Sequence, residues 1–257
     1  MSGSEDARAG PIATVGLVGG MSWETSAVYY RLINERVRER LGGFHSPPSV
    51  LYSVDSHEID ALQRSGSWTQ AGELLTQAAL AVERGGADFL VLCTNTMHRV
   101  SAAIEARVGI PLLHIADAAG RALRDREVVR VGLLGSRSTM EQEFIRDRLA
   151  AGGLDVRIPA DGERAEIHGF IFDEVMHGVV SPDSSRRLHE IVERLAADGA
   201  QTVVVANLEL DALLDDGSAA VPLLHTIRTH AEAAADLAIG ATPMLERAAS
   251  ATSRSRY

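Results

Sequence analysis

Short runs of aliphatic and β-branched residues alternate along this chain with longer stretches whose apolar residues recur every three or four positions. The first kind of run suits a buried strand and the second an amphipathic helix. Ile12 to Val18 reads as a strand, followed by a glycine-rich turn and a helix from about Trp23 to Leu41. Ser49 to Val54 is a second strand. Trp68 to Arg84 is a helix that Gly85 and Gly86 end. Asp88 to Leu92 is a strand running straight into Cys93. Thr96 to Ala106 is a helix and Ile110 to Ile115 a short strand. The pattern restarts with a strand at Val128 to Leu134 and a helix at Met140 to Ala151. A strand at Leu154 to Ile158 follows, then helices at Arg164 to Val175 and Ser184 to Asp198. Thr202 to Val205 and Val221 to Leu224 are strands, and His230 to Ala238 is the last helix. Strands alternating with helices imply an α/β fold with parallel sheets and right-handed crossovers.

The restart is a repeat. Val15-Gly16-Leu17-Val18-Gly19-Gly20 recurs as Val131-Gly132-Leu133-Leu134-Gly135-Ser136. At nearly equal distances downstream lie Leu90-Val91-Leu92-Cys93 and Val204-Val205-Ala206-Asn207. The chain thus reads as two copies of one α/β unit, with a thiol at a strand end in the first and an amide at that place in the second. In open α/β sheets ligands bind at the carboxyl ends of the strands. The loops Gly16 to Met21, Cys93 to Thr96, Gly135 to Ser138 and Asn207 to Glu209 lie there, and a cleft between facing halves is the expected site.

Composition narrows the classes. At 257 residues and 46% hydrophobic, the chain can bury one large core or two ordinary ones. A formal charge of −10 argues against nucleic acid as a partner. No apolar run spans a bilayer, and the polar start, Met1 to Gly10, does not read as a secretory signal. The expected setting is the cytoplasm. One cysteine excludes an internal disulfide and fits a reducing compartment. No Cys/His spacing suggests zinc. Ser250 to Tyr257 is expected to fray.

Particular residues carry the candidate chemistry. Gly16 to Ser22 is a turn that could hold a carboxylate or phosphate at a helix N-terminus, or be a turn and no more. Cys93 sits where a strand ends and a helix begins, and helix amides would lower its pKa. Thr94, Asn95 and Thr96 offer hydrogen bonds to a carboxylate. His98 either faces the cleft or caps its helix. His114 reads as a satisfied core or loop histidine, and His225 as a cleft residue or another such histidine. Asp55, His57 and Glu58 read as a solvated turn rather than a metal or triad fragment. Glu163 and Glu166 are surface charges unless their helix borders the cleft.

Several segments resemble the aspartate/glutamate racemase family, nearest its broad-specificity amino-acid racemase branch. They are Gly19-Gly20-Met21-Ser22-Trp23-Glu24, Tyr29-Tyr30-Arg31-Leu32-Ile33-Asn34, Ser53-Val54-Asp55-Ser56-His57-Glu58-Ile59 and Leu92-Cys93-Thr94-Asn95-Thr96-Met97-His98. Thr139-Met140-Glu141-Gln142 and His230-Ala231-Glu232-Ala233-Ala234 match too, so the resemblance runs from about Ile12 to Ile239. It implies two Rossmann-like, flavodoxin-like parallel-sheet domains related by a pseudo-twofold, with the active site in the cleft between them. The first would comprise residues 1–118 plus 226–257, its C-terminal helix returning to it, and the second residues 119–225. It also implies no PLP, metal or other cofactor, a homodimer, and two cysteines that move a proton on opposite faces of the substrate Cα.

This chain departs from the family pattern at that site. The family's second motif, Gly-Cys-Thr-Glu, reads Ala206-Asn207-Leu208-Glu209 here. Relatives in this branch carry lysine at the position of Glu166, and an aspartate usually stands at that of His225. An amide has no useful pKa for proton transfer, and a carboxylate at Glu166 would repel a distal carboxylate and could attract an amine. The resemblance therefore implies a cofactor-independent racemase or epimerase acting on a small amino or carboxylic acid. Cys93, Asn207 and His225 would be the catalytic set. Met21, Ser22, Thr94, Asn95, Thr96, Ser136, Glu166, Leu208, Glu209 and Thr226 would contact substrate. Two alternatives stay open. One is a one-thiol decarboxylase, cis-trans isomerase or lyase, since a malonate-decarboxylating relative also works with a single cysteine, although there it resembles the second-half position. The other is a binding homologue without activity.

Overall fold

The computed structural model describes residues 11–242. The polar stretch Met1 to Gly10 and the tail Ser250 to Tyr257 lie outside the described residues. Among those described, the chain makes two four-stranded parallel sheets with helices between successive strands. The first holds β1 (Val15–Gly19), β2 (Ser49–Ser53), β3 (Phe89–Leu92) and β4 (Leu112–Leu113) in the order β2-β1-β3-β4. The second holds β5 (Arg130–Gly135), β6 (Asp155–Arg157), β7 (Thr202–Ala206) and β8 (Leu223–His225) in the order β6-β5-β7-β8. The strand order is the same, as the internal repeat implies.

The helices are α1 (Trp23–Leu41), α2 (Ser56–Arg64), α3 (Trp68–Arg84), α4 (Ser101–Glu105) and α5 (Ile115–Arg124), then α6 (Arg137–Glu141), α7 (Glu143–Ala151), α8 (Asp161–Gly169), α9 (Pro182–Ala197) and α10 (Thr226–Ala238). Two compact units result. One holds the described residues up to Cys93, Val100–Leu113 and those from Ala231 onward; the other holds Thr94–Arg99 and His114–His230. The chain leaves the first unit directly after Cys93.

Every residue of β1, β3 and β7 is buried. That is why these strands are continuous apolar runs rather than alternating ones, as expected when helices cover both faces of a parallel sheet. In β7, Val203 and Val205 join a core with Leu188, Ile191 and Val192 of α9. Val204 and Ala206 join another with Ile115, Ala119 and Leu123 of α5 and Ile145 and Leu149 of α7. Each large aliphatic side chain buried this way contributes about 1.5–3 kcal/mol.

The glycine shared by the repeats has a packing origin. A Cβ on Gly16 would lie 2.6 Å from Val82 of α3, and one on Gly132 would lie 2.9 Å from Leu195 of α9. In each sheet a helix thus lies directly against the backbone of a central strand. In the first unit Asp236 of α10 accepts from Arg36 (3.2 and 3.3 Å) and Arg40 (3.2 Å twice) of α1. One carboxylate between two guanidinium forks, all within one unit, gives geometric specificity as well as charge pairing.

Several elements differ from expectation. Asp55, His57 and Glu58 do not form a solvated turn: Asp55 caps α2, its carboxylate accepting from the His57 N–H at 3.0 Å. The apolar run Ile110 to Ile115 yields only a two-residue strand, and Ile115 instead opens α5. That helix starts on an unusual signal, since His114 is its N-cap rather than a Ser, Thr, Asp or Asn. The expected helix Thr96 to Ala106 divides into a 3₁₀ turn, Thr96–Val100, and α4. Met140 to Ala151 is broken by extended backbone at Gln142. Arg164 to Val175 lies partly in α8 and continues into a π-helical turn, Phe170–Glu174. No described helix is long and apolar enough to cross a membrane.

Gly20 is the tightest point of the turn from β1 to α1. Its φ is +92°, and a Cβ there would lie 2.2 Å from the Val54 carbonyl oxygen. Gly20→Ala is expected to cost about 2–4 kcal/mol, the sum of a left-handed backbone penalty and an overpacked contact. Urea unfolding with the midpoint unchanged would show that the turn relaxes freely.

Candidate active site

Cys93 follows β3 and is fully buried. Its backbone N–H donates to the Val18 carbonyl at 2.9 Å, so the β1–β3 ladder extends one residue past the strand and places the thiol. Burial pushes the thiol pKa up, well above the ordinary range. The expected lowering by helix amides is overturned. The element beyond is a five-residue 3₁₀ turn, and in the low-dielectric surroundings desolvation decides. Tyr29 of α1 was not singled out from the sequence. It is buried in the same unit, and its phenol is raised by burial first and by the neighbouring Cys93 second. Its place on the buried stripe of α1 was the available signal.

The residues after Cys93 are engaged locally. The Thr94 carbonyl accepts from His98 Nδ1 at 2.9 Å. Asn95 is buried, and its Oδ1 accepts from the Thr226 hydroxyl at 2.9 Å; that hydroxyl also lies 3.1 Å from the Val205 carbonyl. With the amide oxygen assigned to Thr226, the Asn95 NH₂ is the group left to donate elsewhere. Thr96 is half-buried and opens the 3₁₀ turn. His98 does cap a helix, but it is α5: its Nε2 accepts from the Ile115 N–H at 3.2 Å. Beside it, His114 Nδ1 accepts from the Ala116 N–H at 3.1 Å. Burial lowers the His114 pKa to about 3.

The turn after β1 is occupied by its own hydrogen bonds. The Gly20 N–H donates to Ser26 Oγ at 2.9 Å. Ser22 Oγ accepts from the Thr25 N–H at 3.1 Å and donates to Glu24 at 2.9 Å. Met21 is half-buried beside it. The corresponding serine after β5, Ser136, accepts from the Thr139 N–H at 3.3 Å. Both serines therefore cap helices, so the turn offers an incoming anion fewer donors than its sequence suggests.

In the second unit Asn207 Oδ1 accepts from the Leu210 N–H at 3.2 Å. The amide thereby caps the 3₁₀ turn Glu209–Ala212, a task asparagine performs well. Leu208 and Glu209 are half-buried. Glu166 is a partly exposed charge held in an ion pair. Arg187 donates to both its oxygens, at 2.6 and 3.1 Å, and the pairing lowers its pKa. Glu163 is likewise bonded to Arg194. His225 is paired on both sides. Its Nδ1 lies 2.6 Å from Asp211 and its Nε2 2.9 Å from Asp216. The Asp211 hydrogen bond is the main reason its pKa rises to about 8, against desolvation. At neutral pH both nitrogens are donors and the ring is an imidazolium. Neither aspartate was singled out from the sequence, because a loop brings them back to the strand end and no regular spacing announces it. Among the described residues no three His, Cys, Asp or Glu side chains converge as metal ligands.

Comparison with known proteins follows the same lines. A family profile described as Asp/Glu/Hydantoin racemase matches residues 18–234. A Yersinia pestis protein assigned to the Asp/Glu racemases is similar at 43% identity, over 88% of this chain and 99% of that one, with a TM-score of 0.86. An aspartate racemase homologue from Pyrococcus horikoshii is 28% identical over 88% of this chain and 99% of its own, with a TM-score of 0.79. Arylmalonate decarboxylase, 17% identical over 91% and 96%, shares the fold with a TM-score of 0.50.

Two measurements test this description. Alkylation of native Cys93 by iodoacetamide, followed by intact mass, should run at least about tenfold slower at pH 7.5 than for free cysteine, and should accelerate through pH 9. Labelling at the free-thiol rate would contradict the buried, protonated thiol. For His225, the folded pKa of about 8 lies above the ordinary 6.5. Its stabilising contribution is therefore complete below pH 6.5 and lost as pH rises through 8. Solvent screening of the exposed carboxylates reduces it to the order of 1 kcal/mol. Urea midpoints from pH 6 to 9 should fall in the wild type and stay flat in His225→Gln over that window. Parallel profiles would remove the ion-pair account.

Proposed function

The chain belongs to the Asp/Glu/hydantoin racemase family, and on that footing we propose that it moves a proton at the carbon α to the carboxylate of a small amino acid or related acid, without a cofactor. The observation that carries the reading is the Cys93-Thr94-Asn95-Thr96 stretch, retained directly after β3 with the thiol pinned at the strand end. Cys93 is the acid/base. The donors of Thr94, Asn95 and Thr96, together with Met21 and Ser22, hold the substrate carboxylate or amine. On the second-unit loops, Ser136, Glu166 in its pair with Arg187, Leu208, Glu209 and Thr226 select the rest of the molecule. The protein works as a homodimer in the cytoplasm.

Racemisation needs a second proton carrier. Asn207 has no titratable proton and its oxygen is committed to Leu210. His98, with both nitrogens on backbone groups, is held neutral by burial and has no proton to release near neutral pH. His225 is the ionisable group that remains from the three. As an imidazolium with a pKa of about 8 it holds a proton it can release near neutral pH. In this role His225 replaces the family's second cysteine, at a cost in rate on the order of 10²–10⁴ relative to a matched thiol pair.

One observation favours a second reading. A buried thiol with a raised pKa rests protonated, the form that delivers a proton rather than removes one. A one-thiol decarboxylase would use it so: carbon dioxide leaves, and Cys93 protonates one face of the resulting enolate. Asn207 would then bind the enolate oxygen through its NH₂.

Incubation in D₂O separates these outcomes. Both enantiomers of acidic, neutral and basic amino acids, with substituted malonates, are followed by mass spectrometry and chiral chromatography. The proposal expects one deuterium at Cα with loss of optical purity, abolished by Cys93→Ala and slowed at least about tenfold by His225→Gln. Carbon dioxide release with a single enantiomeric product establishes the second reading instead. Exchange that survives Cys93→Ala sinks both.

A further inference from the structure

His98 holds a tautomer that the geometry specifies. The Ile115 N–H can donate to Nε2 only if that nitrogen is unprotonated. The neutral ring therefore carries its hydrogen on Nδ1, which points at the Thr94 carbonyl 2.9 Å away. His98 is 1% exposed, and two further imidazoles stand against it edge to face: His114 at 4.5 Å and His230 at 5.6 Å between ring centroids. Burial, with those neighbours, holds its pKa well below the ordinary range, so the ring stays neutral. A neutral imidazole with one donor and one acceptor, each used on backbone, is a fixed strut rather than a proton carrier.

The place of that strut is informative. Residues 93–95 lie between β3 and the 3₁₀ turn and belong to neither. Two backbone bonds bracket the Cys93 Cα: its own N–H to Val18 on one side and the Thr94 carbonyl to His98 on the other. Turning the backbone at residues 93 and 94 enough to swing the Cys93 Cα–Cβ bond would strain the second bond.

We propose that His98 is the positioning residue for Cys93, its Nδ1–H clamping the Thr94 carbonyl so that the thiol keeps one direction, while Nε2 ties the clamp to the start of α5. This rests on Cys93 being the proton carrier, and it assigns His98 no contact with substrate. Misplacing a reacting group by about 1 Å can cost on the order of 10²-fold in rate, so the clamp has a measurable effect.

Two isosteres divide the ring's two bonds. In His98→Asn the side-chain NH₂ falls where Nδ1 is and keeps the bond to Thr94, losing Ile115. In His98→Gln the amide oxygen reaches the Nε2 position and keeps Ile115, losing Thr94. The proposal expects His98→Gln to lower kcat about 10–100-fold with KM within about twofold, and to speed iodoacetamide labelling of Cys93 at least about fivefold. His98→Asn should stay within about threefold of wild type on both readouts while losing thermal stability. Equal losses in the two variants, or loss in Asn with rescue by Gln, would overturn the clamp in favour of helix capping alone. The tautomer is checked separately by ¹⁵N NMR of histidine-labelled protein. His98 should show Nδ1 protonated and no titration from pH 5 to 8, and a protonated Nε2 would overturn it. If the wild type moves no proton at any Cα, the reading of Cys93 fails while the clamp is still decided by labelling rates and NMR.

Discussion

In both sheets a helix side chain rests on the bare backbone of a central strand: Val82 over Gly16 and Leu195 over Gly132. That approach sets the depth at which α3 and α9 lie, and with it the burial of β1, β3 and β7. A one-residue shift of such a strand would move every side chain to the opposite face and lose its fit to the helices packed there. The strand ends are consequently fixed points. Cys93 stands one residue past such an end, still held in the ladder by Val18.

Burial then governs the ionisation of buried groups in each unit. It raises the Cys93 thiol and the Tyr29 phenol and lowers His98 and His114, so in each case the neutral form prevails. His225 goes the other way because two carboxylates outweigh its desolvation. Glu166 and Arg187 neutralise one another at a more exposed position. The second unit therefore presents an imidazolium and a matched ion pair. Asn207 contributes a local cap.

The strongly periodic elements were legible in the sequence. Trp23–Leu41 and Trp68–Arg84 have the expected bounds, since long amphipathic runs ended by glycine leave little choice. The helix at Ile115–Arg124 was not legible. Its buried face is mostly alanine and glycine, and its cap is a histidine. The helix at Ser56–Arg64 was hidden by a polar start that resembles a turn. Among the candidate residues, the position of Cys93 directly after a strand is read from the apolar run before it, and the local use of Asn207 follows from short-range neighbours. The partners of Asn95, Glu166 and His225 come from Thr226, Arg187 and the pair Asp211 and Asp216. No local pattern marks any of these pairings.

The sequence by itself determined the two parallel-sheet units, their internal repeat, the family, and the single thiol at a strand end opposed in the repeat by an amide. These depend on hydrophobic period and residue identity, which are written along the chain. The tertiary structure alone decided protonation and direction: a thiol raised rather than lowered, an imidazole fixed as one tautomer by two backbone groups, another charged between two aspartates. A pKa reflects the dielectric and the charges within a few ångströms, and a tautomer reflects which donor arrives at which nitrogen. Both are set by residues that become neighbours only when the chain has folded.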